Sequence, residues 1–250
     1  MKQIYFVFIF AALLFSCKNN VKQEKIKIAT AANMQFAMDS LVQIFELETG
    51  IQADVSANSS GMLTAQIEKG APYDVFVSAN LKYPETLKSK GLGYKITVYG
   101  SGRLAFVYDN KLNYKSIEEA LKDKNIGKIA VADPETAPYG MAAKEFLNKN
   151  KYFNTIKSQL VYGESINQVN QYLMTNSVKA GFTSYSGLDV FKNTHKFMEV
   201  QQSEFSEIKQ GAQMLKHGKK HHKDACKLFL KFLKSKKSKA ILSDFGYFVK

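Results

Sequence analysis

Between Ile26 and Ser78 the apolar pattern changes period four times, and that alternation constrains the fold more than any other feature. Ile26-Lys27-Ile28-Ala29 alternates as a short half-buried strand does. Met34 to Leu47 then carries Met34, Ala37, Met38, Leu41, Ile44 and Phe45 at helical spacing, and Gly50 stops the helix. Ile51 to Ala57 returns to period two through Ile51, Ala53 and Val55. Ser59 to Lys69 reads as a second helix closed by Gly70, and Asp74 to Ser78 as a third strand. Strand, helix, strand, helix, strand in so short a span predicts an α/β fold with a mainly parallel sheet covered by helices.

A second such set follows. Arg103–Tyr108, Lys128–Ala132, Gln159–Tyr162 and Ala180–Ser184 read as strands. Helices are expected over Ser116–Lys122, Tyr139–Asn148 and Ser165–Thr175, the first opened by Ser116 with Glu119 three residues on as a capping box. Phe197 to Gln201 leads back. Lys219 to Ser243 reads as one basic amphipathic helix with Ala225, Leu228, Phe229, Phe232, Leu233 and Ile241 inward. With 250 residues, 45% of them hydrophobic, the chain can bury one core or two modest ones. The expected organisation is two α/β lobes, lobe 1 from 26–104 plus 202–250 and lobe 2 from 105–201, with a hinge near 100–106 and 195–202.

The N-terminus stands outside this pattern. Lys2 precedes an apolar run from Ile4 to Phe15, too short to span a membrane comfortably, and Leu14-Phe15-Ser16-Cys17 is similar to a bacterial lipobox. Residues 1–16 are therefore expected to be a signal peptide, Cys17 the lipidated residue, and 17–25 a polar tether. The mature protein would be exported and lipid-anchored, at the periplasmic face or cell surface. Cys226 then has no partner for a disulfide. The formal charge of +13 would suit nucleic acid, but export argues against that partner; a solvated lysine surface, near anionic lipid or small anions, fits better.

Four strand-to-helix turns share a chemistry: Ala32-Asn33, Asn58-Ser59-Ser60-Gly61, Pro138-Tyr139-Gly140 and Glu164-Ser165-Ile166. Helix starts offer unpaired N–H groups and roughly half a positive charge, and ligands of open α/β sheets bind at these strand ends. Any one of these hydroxyls or amides taken alone reads as an ordinary N-cap. Two turns in each lobe could together surround a small anion with neutral donors, sorting ligands by size and protonation state. No G-x-S-x-G, P-loop or H-E-x-x-H motif points to an enzyme. His217, His221, His222 and Cys226 have helical spacing for a metal, but Lys216, Lys219, Lys220 and Lys223 oppose a cation, so no cation site is expected.

Ala29-Thr-Ala-Ala-Asn-Met, the run from Ser59-Ser-Gly-Met through Gln66-Ile-Glu-Lys-Gly-Ala-Pro-Tyr-Asp to Ala79, Asp133-Pro-Glu-Thr-Ala-Pro-Tyr-Gly and the closing Phe245-Gly-Tyr resemble the periplasmic molybdate-binding proteins of molybdate ABC transporters. The resemblance spans nearly all of 26–250. It implies the two-lobed class II periplasmic-binding-protein-like fold, with the ligand cleft between lobes. It also implies hinge closure on molybdate or tungstate as cargo, no cofactor, delivery to an inner-membrane permease, and a monomer. The binding residues it implies are Asn33, Ser60 (with Ser59 beside it), Tyr139, Ile166 through its backbone N–H, and Ala79 as a weaker backbone contact. Where many members end a strand in tyrosine, this chain has Ser184, with Tyr185 one residue late. Sulfate, phosphate and ferric iron are the alternative ligands.

Overall fold

The computed structural model describes residues 24–249; the expected leader, Cys17 and the tether up to residue 23 lie outside them. β1 (Lys25–Ala31), α1 (Gln35–Thr49), β2 (Gln52–Asn58), α2 (Ser60–Glu68) and β3 (Val75–Ser78) follow the expected alternation. β2 and β3 both run parallel to β1, with Ile28 opposite Val55 on one side and Val75 on the other. Within β3, Val75 and Val77 face one core with Phe45 and Phe229, while Phe76 faces another with Leu63, Ile67 and Leu87. A strand buried on both faces reads as a continuous apolar run, which is why its alternation is invisible in the sequence.

The chain continues through α3 (Lys82–Ser89) and β4 (Gly93–Gly102), neither of them expected, and crosses at Arg103 into β5 (Leu104–Asp109). The second set is α4 (Ile117–Lys122), β6 (Ile129–Ala132), α5 (Pro138–Lys149), α6 (Phe153–Ile156), β7 (Leu160–Gly163), α7 (Ile166–Met174), β8 (Ala180–Ser184) and β9 (His195–Glu199). Ser116 caps α4 as expected, its Oγ accepting the Glu119 N–H at 3.1 Å. The return leads to β10 (Ile208–Leu215), also unexpected, then to α8 (Lys216–His221), α9 (Lys223–Phe232) and α10 (Lys236–Asp244).

Both sheets are mixed rather than mainly parallel. The first has the order β2-β1-β3-β10-β4 and the second β7-β6-β8-β5-β9. In each, a parallel trio is joined to an antiparallel pair: β10 lies antiparallel to β3 and β4, and β5 to β8 and β9. The lobes are thus linked by two crossings, one between β4 and β5 and one between β9 and β10. The second core centres on Phe182, with Phe106 at 5.0 Å and Phe146 at 5.6 Å between ring centroids. It also takes in Ala31, Ala32 and Ala79 of the first lobe, so the lobes pack on each other.

The C-terminal segment is three helices and not one. His222 leaves helical geometry at φ −137° and ψ 42°, and Ser235 starts α10 by accepting the Ser238 N–H at 3.1 Å. The breaks reset the helical phase. Ala225, Phe229, Phe232 and Leu233 are buried as expected, but Leu228 is exposed and Cys226 completes the inward face instead.

Candidate functional site

Each turn that follows a strand of one parallel trio meets a turn from the other. After β1, the Asn33 carbonyl accepts from Ser186 Oγ at 2.8 Å, and Gln35 Oε1 accepts from Asn167 Nδ2 at 2.5 Å. After β2, the Gly61 N–H donates to the Thr136 carbonyl at 2.9 Å. After β3, the Tyr83 hydroxyl donates to the Glu135 carbonyl at 3.0 Å. These contacts join backbone and side chains of opposite lobes, so the cleft is described in a closed arrangement.

A chain of hydrogen bonds runs through this junction. Ser60 Oγ accepts the Ala79 N–H at 3.0 Å, and the Ala79 carbonyl accepts from Gln210 Nε2 at 3.3 Å. Gln210 Oε1 accepts from Asn33 Nδ2 at 3.1 Å and from the Tyr99 hydroxyl at 3.4 Å. Asn33 Nδ2 also faces the Tyr247 hydroxyl at 2.8 Å and the Tyr139 hydroxyl at 3.4 Å. Tyr247 in turn donates towards the Asn33 carbonyl at 2.8 Å, and Ser186 towards Ser184 Oγ at 3.1 Å. Asn33, Ser60, Tyr139, Ser184, Gln210 and Tyr247 are all buried.

Two features of this chain bear on ligand chemistry. Nδ2 has two hydrogens and three acceptor neighbours, so one contact is always unfilled and an incoming acceptor can take its place at small cost. The hydroxyls of Ser60 and Tyr139 act as acceptors, which leaves their own protons without a protein acceptor among the described residues. One comes from each lobe. No member of the chain is charged. Burial pushes the Tyr139 phenol well above its ordinary value; neighbouring Tyr247 adds to this and the Asn33 donor opposes it. Burial likewise raises Tyr247, against the Ser186 and Asn33 hydrogen bonds, and Tyr99. All three phenols stay protonated donors at neutral pH.

The remaining expected residues divide. Ile166 is the first residue of α7, where its N–H has no intrahelical acceptor. Ser59 is the N-cap of α2, its Oγ accepting the Met62 N–H at 3.4 Å, and so is occupied locally. The Ala79 N–H is held by Ser60. Tyr185 lies beneath the Arg103 guanidinium, 3.6 Å from its ring centroid, and edge-on to Phe197, away from the Asn33 chain. Gln210, Tyr247, Tyr99 and Ser186 were missed. Tyr247 had a signal, the closing Phe245-Gly-Tyr. Gln210 sits in a strand where it and Gln213 are both fully buried, with no periodic signature to mark either as inward.

The model of a family described as bacterial extracellular solute-binding protein matches residues 26–248. The molybdate-binding protein of Azotobacter vinelandii is 32% identical over 231 residues, covering 89% of each chain. That of Rhodobacter capsulatus is 31% identical over 223 residues, 88% of this chain and 86% of its own. The solved structure of the Azotobacter vinelandii periplasmic molybdate-binding protein superposes with a TM-score of 0.83 at 25% identity, covering 90% of this chain and 99% of that one.

Proposed function

The chain belongs to the bacterial extracellular solute-binding protein family, and from that premise we propose that it captures molybdate, and tungstate with it, between its lobes and passes the ion to the permease of an ABC importer. The observation that carries this reading is the pair of buried hydroxyl protons, on Ser60 from one lobe and Tyr139 from the other, in a chain of hydrogen bonds with no charged member. Molybdate is a tetrahedral dianion whose oxygens all accept. Asn33 Nδ2, the two hydroxyls and the Ile166 N–H supply neutral donors for it, and Ser184 lies at the same junction. The resemblance to molybdate-binding relatives points the same way.

Phosphate and ferric iron fit less well. Monoprotonated phosphate would want a carboxylate acceptor, and Glu164, the one carboxylate within the four turns, is exposed. Ferric iron would want paired phenolates, whereas the Tyr247 hydroxyl is engaged with Asn33 and Ser186. The ion is cargo, with no bond made or broken and no cofactor required. Capture is by hinge closure at the two crossings, the contacts between Gly61 and Thr136 and between Tyr83 and Glu135 forming as the lobes meet. The protein is exported; in this proposal a lipid on Cys17 anchors a monomer at the membrane, and among the described residues no helix is long and apolar enough to cross one.

Calorimetric titration of the purified protein with molybdate, tungstate, sulfate and phosphate tests the proposal. Tight binding of the first two with weak binding of the others supports it. Binding of none, or preference for phosphate, refutes the cargo while leaving the family membership in place.

A further inference from the structure

Asp74, just before β3, is fully buried, yet no lysine or arginine among the described residues pairs with it. Its Oδ2 accepts the Lys27 N–H at 2.7 Å. Its Oδ1 faces two imidazoles at once, His217 Nδ1 at 2.7 Å and His222 Nδ1 at 3.1 Å. The three residues come from distant parts of the chain, with His217 143 positions beyond Asp74. The approach is built into the backbone. A Cβ on Gly218 would lie 2.5 Å from the Asp74 carbonyl oxygen and 2.8 Å from its Cα, so only glycine lets α8 come this close.

We propose that Asp74, His217 and His222 form a site for a divalent transition-metal cation of the zinc class. The three donor atoms lie within 4.8 Å of one another. Four-coordinate zinc with bonds of about 2.0 Å sets neighbouring ligands roughly 3.3 Å apart, close to the spacing already present. On binding, each imidazole gives Nδ1 to the metal and keeps a proton on Nε2, and the metal takes the place of the two Nδ1 contacts with Oδ1. Imidazole with one carboxylate oxygen is a donor set that suits zinc. Both histidine side chains are about a third exposed, so the cation has an entry path and solvent a coordination position. His221 stands beside this pair, its ring centroid 4.6 Å from that of His217.

The four lysines nearby argued against a cation when the sequence was the only guide. The fold changes the balance by bringing in the buried carboxylate of Asp74 from just before β3. It also holds one of those lysines elsewhere, with Lys219 Nζ over the Tyr94 ring at 4.2 Å. Cys226 stands outside this cluster of donors, its thiol directed at the Asp74 carbonyl oxygen at 3.9 Å. The cation would tie the junction of α8 and α9 to the first sheet at the opposite ends of β3 and β10 from Ala79 and Gln210.

The test is titration of the purified protein, free of any histidine tag, with Zn²⁺ and with Co²⁺ as a spectroscopic stand-in. The expected result is one Zn²⁺ per chain, tetrahedral Co²⁺ bands in the visible spectrum, and a melting temperature that rises with Zn²⁺ by mass action. His217→Ala and His222→Ala should each weaken Zn²⁺ binding by at least about 10- to 100-fold, with molybdate titration unchanged. Retention of tight Zn²⁺ binding by the double variant overturns the proposal, as does absence of saturable Zn²⁺ binding by the wild type. Should the variants fail to fold, the wild-type Co²⁺ spectrum decides: octahedral, water-like bands count against the site. Failure here leaves the molybdate reading untouched, because the two titrations are independent.

Discussion

Gly61→Ala separates lobe closure from lobe stability. Gly61 lies in the first turn of α2, and its N–H donates to the Thr136 carbonyl across the cleft. A Cβ added there would sit 2.8 Å from Thr136 Cα, 2.9 Å from its carbonyl oxygen and 3.0 Å from its Cβ, where ordinary contact starts at 3.4 Å. The obstacle is mostly backbone, so no side-chain rotation relieves it and the lobes must stand apart by several tenths of an ångström. Overpacking of this kind costs about 1–3 kcal/mol, equivalent to roughly a 5- to 150-fold rise in Kd for a ligand that requires closure. Within lobe 1 the sign is opposite, because alanine is a better helix former than glycine by up to ~1 kcal/mol. Molybdate affinity by calorimetry should therefore fall while the ligand-free melting temperature holds or rises. Unchanged affinity would mean that Gly61 and Thr136 do not touch in the bound state. A fall in both quantities would mean that the alanine damages lobe 1 itself, and either result refutes the reasoning.

Ser60→Ala removes the acceptor of the buried Ala79 N–H as well as a ligand donor. Leaving that N–H unpaired costs about 1–3 kcal/mol, so melting temperature and molybdate affinity should fall together, and unchanged affinity would remove Ser60 from the site. Tyr99, Tyr139 and Tyr247 have phenols raised by burial. Their contribution is fully present below the unfolded value of about 10 and declines above it, by ~1.4 kcal/mol per pH unit for each phenol. Chemical denaturation across the alkaline range should show this decline, and flat stability there would contradict the buried placement of the three. Cys17→Ser should release the protein from the membrane fraction; a variant that still sediments with membranes rejects the lipid anchor.

The parts of the fold legible in the sequence were those whose burial is periodic. α1 announces itself because Ala37, Met38, Leu41 and Phe45 share one face, and β1 because Ile26 and Ile28 alternate with lysines. β4 and β10 did not, because their burial is irregular: β10 hides Gln210 and carries register shifts against β4, and β4 is half-exposed over most of its length. Missing them meant reading the first sheet as mainly parallel instead of mixed. In the site, helix-start residues were legible because local chemistry marks them. Gln210 and Tyr247 were not, since their roles exist only once β10 and the C-terminus fold back beside Asn33. Asp74 is the same case. Nothing near it in sequence suggests histidines, which arrive from α8 and from the break that follows it.

The division of charge between surface and cleft carries the last prediction. The chain has 35 basic and 22 acidic residues, yet the chain of hydrogen bonds at the lobe junction has no charged member. A lysine in the cleft would strengthen binding of every anion alike and so would discriminate little; neutral donors at fixed positions reward a ligand that only accepts and penalise one that carries a proton. Surface lysines act differently, raising the local concentration of any anion over distances set by screening, about 10 Å at 0.1 M salt and 3 Å at 1 M. Association rate and selectivity should therefore respond to different variables. Raising salt from 0.1 M to 1 M should slow molybdate association in stopped-flow measurements, while the ratio of molybdate to phosphate affinity stays nearly constant. A ratio that collapses with salt would place the discrimination in the surface field and not in the hydroxyls and amides of the cleft.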